Sequence, residues 1–380
     1  MKLLSVSHHA ELLGANRSLL HLLKGLQENY AVQVLVFCPA EGPFTAALRE
    51  AHIPYTVKPF ANWGYSLLSK KLWLFPWIWW QSKMKIVPEM IALTKEYNPD
   101  LIHSNSSLVA LGWQLAENLG IPHIWHIREF GWKDYKIVFP LSLHRLYAKL
   151  NQSKHVITIS HALSKKLGGR LRIPPAVVYN GIGSNMNIIK SFEDGQKRPN
   201  DGLFHFLIIG LIHPAKGQLM AIRAFKKVFE KYDNTRLIVA GKGSKIYEQL
   251  LRWQARKDGT SKAIDFCGFV HDPANIYIRS DAVLICSQHE AMGRVAAEAM
   301  SFGKPVIGYH GGAIPEIIQA GLEGNTFKSQ EELSKLMIQL VENPDQSKDL
   351  SKNAFEQVTR QFSDELYVKK FYTLMINERY

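Results

Sequence analysis

Two glutamates, Glu290 and Glu298, stand eight positions apart with Gly293 between them, in the stretch Ser287-Gln-His-Glu-Ala-Met-Gly-Arg-Val-Ala-Ala-Glu-Ala-Met-Ser-Phe-Gly-Lys-Pro-Val306. The preceding run, Asp281-Ala-Val-Leu-Ile-Cys286, reads as a buried strand, so the stretch begins at a strand's carboxyl end. Open α/β sheets bind ligands there. A helix is expected from Arg294 or Val295, and its first amides and dipole suit an anionic phosphate. Gly293 lets the backbone approach a ligand. Glu298, one turn into the helix, is placed to accept hydrogen bonds from a hydroxyl pair such as that of a ribose. The same residues also read as an ordinary helix start with two solvated glutamates.

Other polar groups sit at comparable places. Lys216 lies in the turn Leu-Ile-His-Pro-Ala-Lys216-Gly217 after the strand Phe204–Gly210, where its three N–H donors can follow charge onto a leaving phosphate. His126, Arg128 and Glu129 are expected to emerge together at the end of the strand Ile121-Pro-His-Ile-Trp-His-Ile, with Glu129 paired to Arg128. A strand-end histidine can equally be a structural one. Asn105 closes the strand Pro99-Asp-Leu-Ile-His-Ser-Asn-Ser106, and Gly14 precedes a helix whose leucines 19, 20, 22, 23 and 26 repeat at helical spacing.

Strands alternating with helices predict an α/β chain with parallel sheets. Periodicity fails over residues 184–202, a polar Gly/Pro-containing stretch. The expected organisation is therefore a first domain over 1–183, a linker over 184–202 and a second domain over 203–363.

The chain has 380 residues, 46% hydrophobic and 21% charged, as a globular protein with full cores has. Cys38, Cys267 and Cys286 fall in or beside apolar runs and read as reduced core residues of a cytoplasmic protein. The opening residues read as a strand rather than a signal peptide, and no window is apolar enough for a membrane-spanning helix. No metal-ligand spacing occurs, and no metal or cofactor is expected. The net charge of +13 is uneven: residues 1–190 carry 21 Lys/Arg against 10 Asp/Glu, residues 191–380 carry 25 against 23. A basic half suits an anionic membrane or nucleic acid; no helix-turn-helix, zinc-finger or RNP-like motif supports the latter, and no nucleic-acid partner is expected.

Residues 60–87 hold Trp63 and Lys70-Lys-Leu-Trp-Leu-Phe-Pro-Trp-Ile-Trp-Trp80, then Lys83 and Lys85. Tryptophan beside lysine suits the membrane interface, and Pro76 interrupts any long helix. The segment reads either as a peripheral membrane contact that admits a lipid-linked acceptor or as a helix packed into its own domain.

The frame S-x-x-E-x-x-G-x-x-x-x-E-A-M-x-x-G-x-P-V over 287–306 resembles the signature of the retaining GT-B glycosyltransferases of family 4, of bacterial polysaccharide or lipid-linked-sugar type. The similarity extends over 203–325 and, more thinly, over 1–182. It includes Lys216-Gly217, Ile264–Val270, His310–Glu316 and Tyr179-Asn-Gly-Ile182. One position departs from the pattern: Leu211 stands where the family has Arg, leaving Arg294 or His213 to supply the second cation.

The resemblance implies two doubly wound Rossmann-like domains facing a cleft, with the last helix, near 364–380, packed back on the first. It implies metal-independent transfer of a sugar from a UDP- or GDP-linked donor to a hydroxyl, in cell-surface polysaccharide or glycolipid synthesis. Glu290, Lys216 and His126 would be catalytic; Gly14, Gly210, Lys216, Glu290, Gly293, Arg294, Val295 and Glu298 would bind the donor. Asn105, Arg128 and Trp63 fall on the acceptor side; the charge asymmetry and the Trp/Lys segment make a polyprenyl-diphosphate-linked saccharide the expected acceptor, with a soluble acceptor the alternative. The expected location is cytoplasmic, against the inner face of the membrane. The alternative function is a noncatalytic sugar-nucleotide-binding protein on the same fold.

Overall fold

The computed structural model describes residues 1–377 except 68, 133–135, 140, 141, 320 and 323; the side chains of 70, 72 and 344–347 also lie outside the described set. The chain forms two compact units, Met1–Gly181 with Asp364–Tyr380, and Ile182–Ser363.

In the first unit the strands in chain order are β1 (Lys2–Val6), β2 (Gln33–Cys38), β3 (Tyr55–Val57), β4 (Tyr65–Ser66), β5 (Leu101–Ser104), β6 (His123–Ile127), β7 (Ile137–Val138), β8 (His155–Thr158) and β9 (Ala176–Val177). Seven make a sheet in the order β3-β2-β1-β5-β6-β8-β9, and every pairing is parallel. A parallel sheet is covered on both faces, and β1 shows how. Leu3 packs with Leu19, Leu22, Leu23 and Leu26 of helix Gly14–Tyr30, whereas Leu4 and Val6 face Met90, Leu111 and Leu115 on the other side. Helix Asp364–Ile376 joins the first of these layers through Tyr367, Val368, Phe371 and Met375. Gly25 makes that crossing close: a Cβ there would lie 2.5 Å from Val368 Cγ2.

The second unit contains β10 (Phe204–Ile209), β11 (Thr235–Ala240), β12 (Ile264–Gly268), β13 (Ala282–Ile285), β14 (Val306–Tyr309) and β15 (Gly324–Phe327), in the order β12-β11-β10-β13-β14-β15, again parallel. In each sheet the chain winds outward from a central strand and then restarts on its other side. The turning points fall between β1 and β5 and between β10 and β13, the positions where such sheets hold ligands.

Three expectations need correction. Residues 185–195, read as part of an irregular linker, form a helix capped by Ser184 whose Oγ accepts from the Asn187 amide; it buries Ile188 in the second unit. Its polar surface hid the period. Cys267, read as a core residue, is exposed because β12 is an edge strand. Glu129 does not pair with Arg128; its carboxylate accepts from the Ser107 amide (2.8 Å) and from the hydroxyls of Ser106 and Ser107.

The 60–87 segment leaves the sheet. β4 pairs antiparallel with β7, and helices Lys70–Trp73, Phe75–Gln81 and Val87–Tyr97 follow, the last two joined by a π-turn over Ser82–Ile86. Pro76 sits in a first helical turn, where its missing N–H costs nothing. The π-turn immediately precedes Pro88, whose ring would clash with the Met84 carbonyl in a regular helix.

Four histidines of the first unit, His8, His103, His123 and His126, are held neutral; burial is the main cause for each, and it brings His123 to about 3. A folded pKa below the unfolded ~6.5 means that the unfolded chain takes up more protons, so stability is full above ~6.5 and falls as pH drops below it. Chemical denaturation monitored by circular dichroism should therefore give a lower midpoint at pH 5.5 than at pH 7.5. The loss should be on the order of 1 kcal/mol per buried histidine, with a shallower slope in His123→Gln.

Candidate functional site

The turning point between β10 and β13 gathers most of the second unit's singled-out residues. After β10 the backbone passes Gly210 at φ +145° and then Leu211, and forms a 3-10 turn over Pro214–Lys216 that ends on Gly217 at φ +72°. A Cβ on Gly217 would lie 2.4 Å from the Cys286 carbonyl oxygen. That approach, open only to glycine, brings Lys216 beside the loop leaving β13.

The loop's central group is Glu290. Its Oε2 accepts from Lys216 Nζ at 2.9 Å and from Ser287 Oγ at 2.6 Å. Its carbonyl accepts from the Ala313 amide at 2.8 Å, beside Gly312 at φ +58°, where a Cβ would sit 2.3 Å from that oxygen. Burial pushes the Glu290 carboxyl up. The Lys216 charge and the hydrogen bonds from Ser287, Lys216 and the Gly293 backbone together outweigh it and hold the carboxyl below its ordinary value. Glu290 is thus an ionised, fixed carboxylate.

Gly293, at φ +77°, caps helix Arg294–Ser301. Its carbonyl accepts from the Ala296 and Ala297 amides at 2.8 and 3.2 Å, so the Arg294 and Val295 amides precede the first bonded turn. The glycine has a second cause that the sequence did not disclose: a Cβ would lie 2.9 Å from Ile317 Cδ1. Glu298 accepts from Arg294 Nε at 2.8 Å and from the buried Tyr277 hydroxyl at 3.1 Å. The two residues expected to offer a second cation are engaged locally, Arg294 with Glu298 and His213, through Nδ1, with the Ala215 amide. Leu211 itself is 50% exposed at the head of the loop.

In the first unit the turning point between β1 and β5 holds a buried polar network. Ser7 donates to Asn16 Oδ1 (2.8 Å), Asn105 Nδ2 reaches the same oxygen (3.4 Å), and Asn105 Oδ1 accepts from Arg128 Nε (2.7 Å). The guanidinium also donates to Asn180 Oδ1 (2.5 Å) and the Tyr367 hydroxyl (3.0 Å), and contacts His126 Nδ1 (3.3 Å). His126 was expected to emerge with Arg128; it is instead fully buried, its ring stacked on Phe371. Trp63 is 2% exposed, edge-on to Trp79 and Trp113, and so belongs to the packing of this unit. Gly14 is exposed at the first turn of its helix, with nothing within 4 Å of a Cβ. Asn16, Asn180 and Tyr367 carry this network without having been singled out for it; polar residues at buried positions of a strand end or helix were the available signal. Among the described residues no group of side chains could hold a metal ion.

Two family models match, glycosyl transferases group 1 over residues 189–357 and glycosyltransferase family 4 over residues 13–184. The chain is 32% identical over 190 residues to an uncharacterized glycosyltransferase of Methanocaldococcus jannaschii, a match covering 47% of this chain and 48% of that protein. It is 25% identical over 305 residues to the alpha-monoglucosyldiacylglycerol synthase of Acholeplasma laidlawii, covering 73% and 74%. The Anabaena protein HepE, crystallised with UDP, superposes with a TM-score of 0.80 at 21% identity, covering 98% of this chain and 99% of that one.

Lys216→Met removes the nearest cation from Glu290 and leaves burial in place. The carboxyl pKa, followed by NMR, should rise above the ordinary carboxylate value in this variant, and Ser287→Ala should move it the same way by less.

Proposed function

Because this chain belongs to the group 1 GT-B glycosyltransferases, we propose that it moves a sugar from a nucleoside-diphosphate donor to a hydroxyl with retention at the anomeric carbon. One observation carries the reading: a fixed Lys216–Glu290 pair beside the first amides of helix Arg294–Ser301, at a parallel sheet's turning point. Those amides and Lys216 meet the diphosphate, and the lysine shifts from Glu290 toward the charge that develops as the sugar leaves. Glu298 takes the ribose hydroxyls. Glu290 orients the sugar; with Lys216 and Ser287 both on one oxygen it is a poor nucleophile, which favours a route in which the departing phosphate accepts the acceptor's proton. None of these steps calls for a metal.

The acceptor is assigned to the first unit, as a lipid-linked saccharide in polysaccharide or glycolipid synthesis. Support comes from the excursion over residues 60–87. Phe75, Trp63 and Trp79 pack inward, whereas Trp73, Trp77, Trp80 and Met84, spaced four, three and four apart, form an outer stripe at 85, 58, 56 and 58% exposure. Lys71, Lys83 and Lys85 are exposed beside it. The inward side chains fit a segment packed into its own domain, and we assign the outer stripe to a peripheral membrane contact on the cytoplasmic side. Lys70, named with it, has its side chain outside the described residues. Exposed Leu211 favours a second reading, a sugar-nucleotide-binding protein without transfer, because the loop carries one cation where two are usual.

Nucleotide release measured over UDP-, GDP- and ADP-sugars, with and without membrane lipid extract, separates these. Turnover of one donor is expected, with Lys216→Ala lowering it roughly 10²–10³-fold, the scale for an electrostatic donor at a developing charge, and Glu290→Ala abolishing it. Tight nucleotide binding with no release from any donor would establish the second reading. Co-sedimentation with anionic vesicles should be lost in Trp77→Ser/Trp80→Ser/Lys71→Glu and unaffected in Lys216→Ala.

A further inference from the structure

Residues 135–181 carry eight Lys/Arg and no Asp or Glu. They fold into helices Leu143–Gln152 and His161–Gly168 with β8 and β9, so one flank of the first unit has cations and no carboxylate of its own. A groove of about 660 Å³ runs along this flank. One wall is a single face of helix Leu143–Gln152, presenting Leu143, His144, Tyr147 and Asn151 at helical spacing; the other is the segment carrying Arg170 and Arg172. The helix's ten residues make the groove ~15 Å long at 1.5 Å per residue.

The lining has two kinds of chemistry. Arg170 lies over the Tyr147 ring at 5.2 Å, which fixes the guanidinium plane at the groove wall. The Arg172 amide donates to Asn151 Oδ1 at 2.8 Å, which ties the second wall to the helix. Among the described residues neither Arg170 nor Arg172 forms an ion pair, so both guanidinium groups keep their fork of donors for a carboxylate, sulfate or phosphate. Asn151 is engaged with the backbone of Arg170 and Arg172, so between the cations the Tyr147 ring and the exposed Gln152 side chain offer the stacking and hydrogen bonds that sugar rings and hydroxyls use.

We propose that this groove binds an anionic oligosaccharide, a chain of sugar units bearing negative substituents, at a site separate from Lys216 and Glu290. Charge complementarity selects the ligand's sign. The groove's length and its mixed aromatic and amide lining favour a saccharide chain over a flat bilayer or a compact ion. The proposal is independent of the transfer reading, because its readout is binding without a nucleotide sugar.

Titration of the whole protein with a heparin-derived hexasaccharide, by calorimetry at 50 and 300 mM salt, tests it. Binding should be detected at the lower salt and weaken at the higher, as screening of exposed guanidinium groups requires. It should fall at least tenfold in Arg170→Gln/Arg172→Gln, be unchanged in Lys71→Glu/Lys83→Glu, and be absent for a neutral dextran hexamer. Tyr147→Leu, which keeps the apolar volume, should weaken it severalfold. Equal binding by the wild type and the arginine variant would overturn the proposal. So would stronger binding of anionic vesicles or of a single-stranded oligonucleotide that needs the same two arginines.

Discussion

A carboxylate taken out of water is costly unless a cation and hydrogen-bond donors meet it, and Glu290 is where this chain satisfies that requirement. The remainder of the second unit's site follows from it. Lys216 reaches Glu290 because Gly217 lets one loop lie against the Cys286 carbonyl; Gly312 lets another lie against the Glu290 carbonyl. Gly293 turns the chain into a helix directly after the carboxylate. Three left-handed glycines on three loops converge on one acidic side chain, so the pair is held by backbone as much as by charge.

The first unit solves the opposite problem. Arg128 is buried with no carboxylate among its hydrogen-bond partners; Asn105, Asn180, Tyr367 and His126 receive it instead. Burial, with the charge of that guanidinium and the neighbouring histidines, holds His8, His103 and His126 neutral. The two turning points thus share a topology and differ in electrostatics: an ion pair at one, a solitary cation dispersed over neutral acceptors at the other.

Much of this was legible in the sequence. The strand-then-glycine-then-helix order around Gly293 located the Glu290 loop, since hydrophobic period and glycine placement report backbone directly. Lys216 was legible for the same reason. What failed were questions of facing. His126 sits on a strand end, but its ring turns toward Phe371 beneath the helix Asp364–Ile376, from a segment more than two hundred residues distant. Trp63 and Trp73 look alike in a tryptophan-rich run, yet one is 2% and the other 85% exposed, because only tertiary packing decides which face of the excursion meets the sheet. The helix over Asn185–Gly195 escaped notice because it is short and buries only Ile188 and Gly195, and it runs directly into a polar Gly/Pro-containing stretch.

The helix Asp364–Ile376 has a consequence for how the protein is made. A ribosome delivers the first unit's sheet early, yet the layer that Tyr367, Val368, Phe371 and Met375 complete arrives only after the whole of the second unit. Until then Arg128 lacks its Tyr367 acceptor and Gly25 faces an open seat where Val368 belongs. Domains generally fold in the order of synthesis; here the second unit, contiguous over Ile182–Ser363, can finish before the first. The nascent chain therefore carries an unsealed apolar face until residues 364–376 have been made, and a truncation before residue 364 would leave a well-formed second unit joined to an incomplete first.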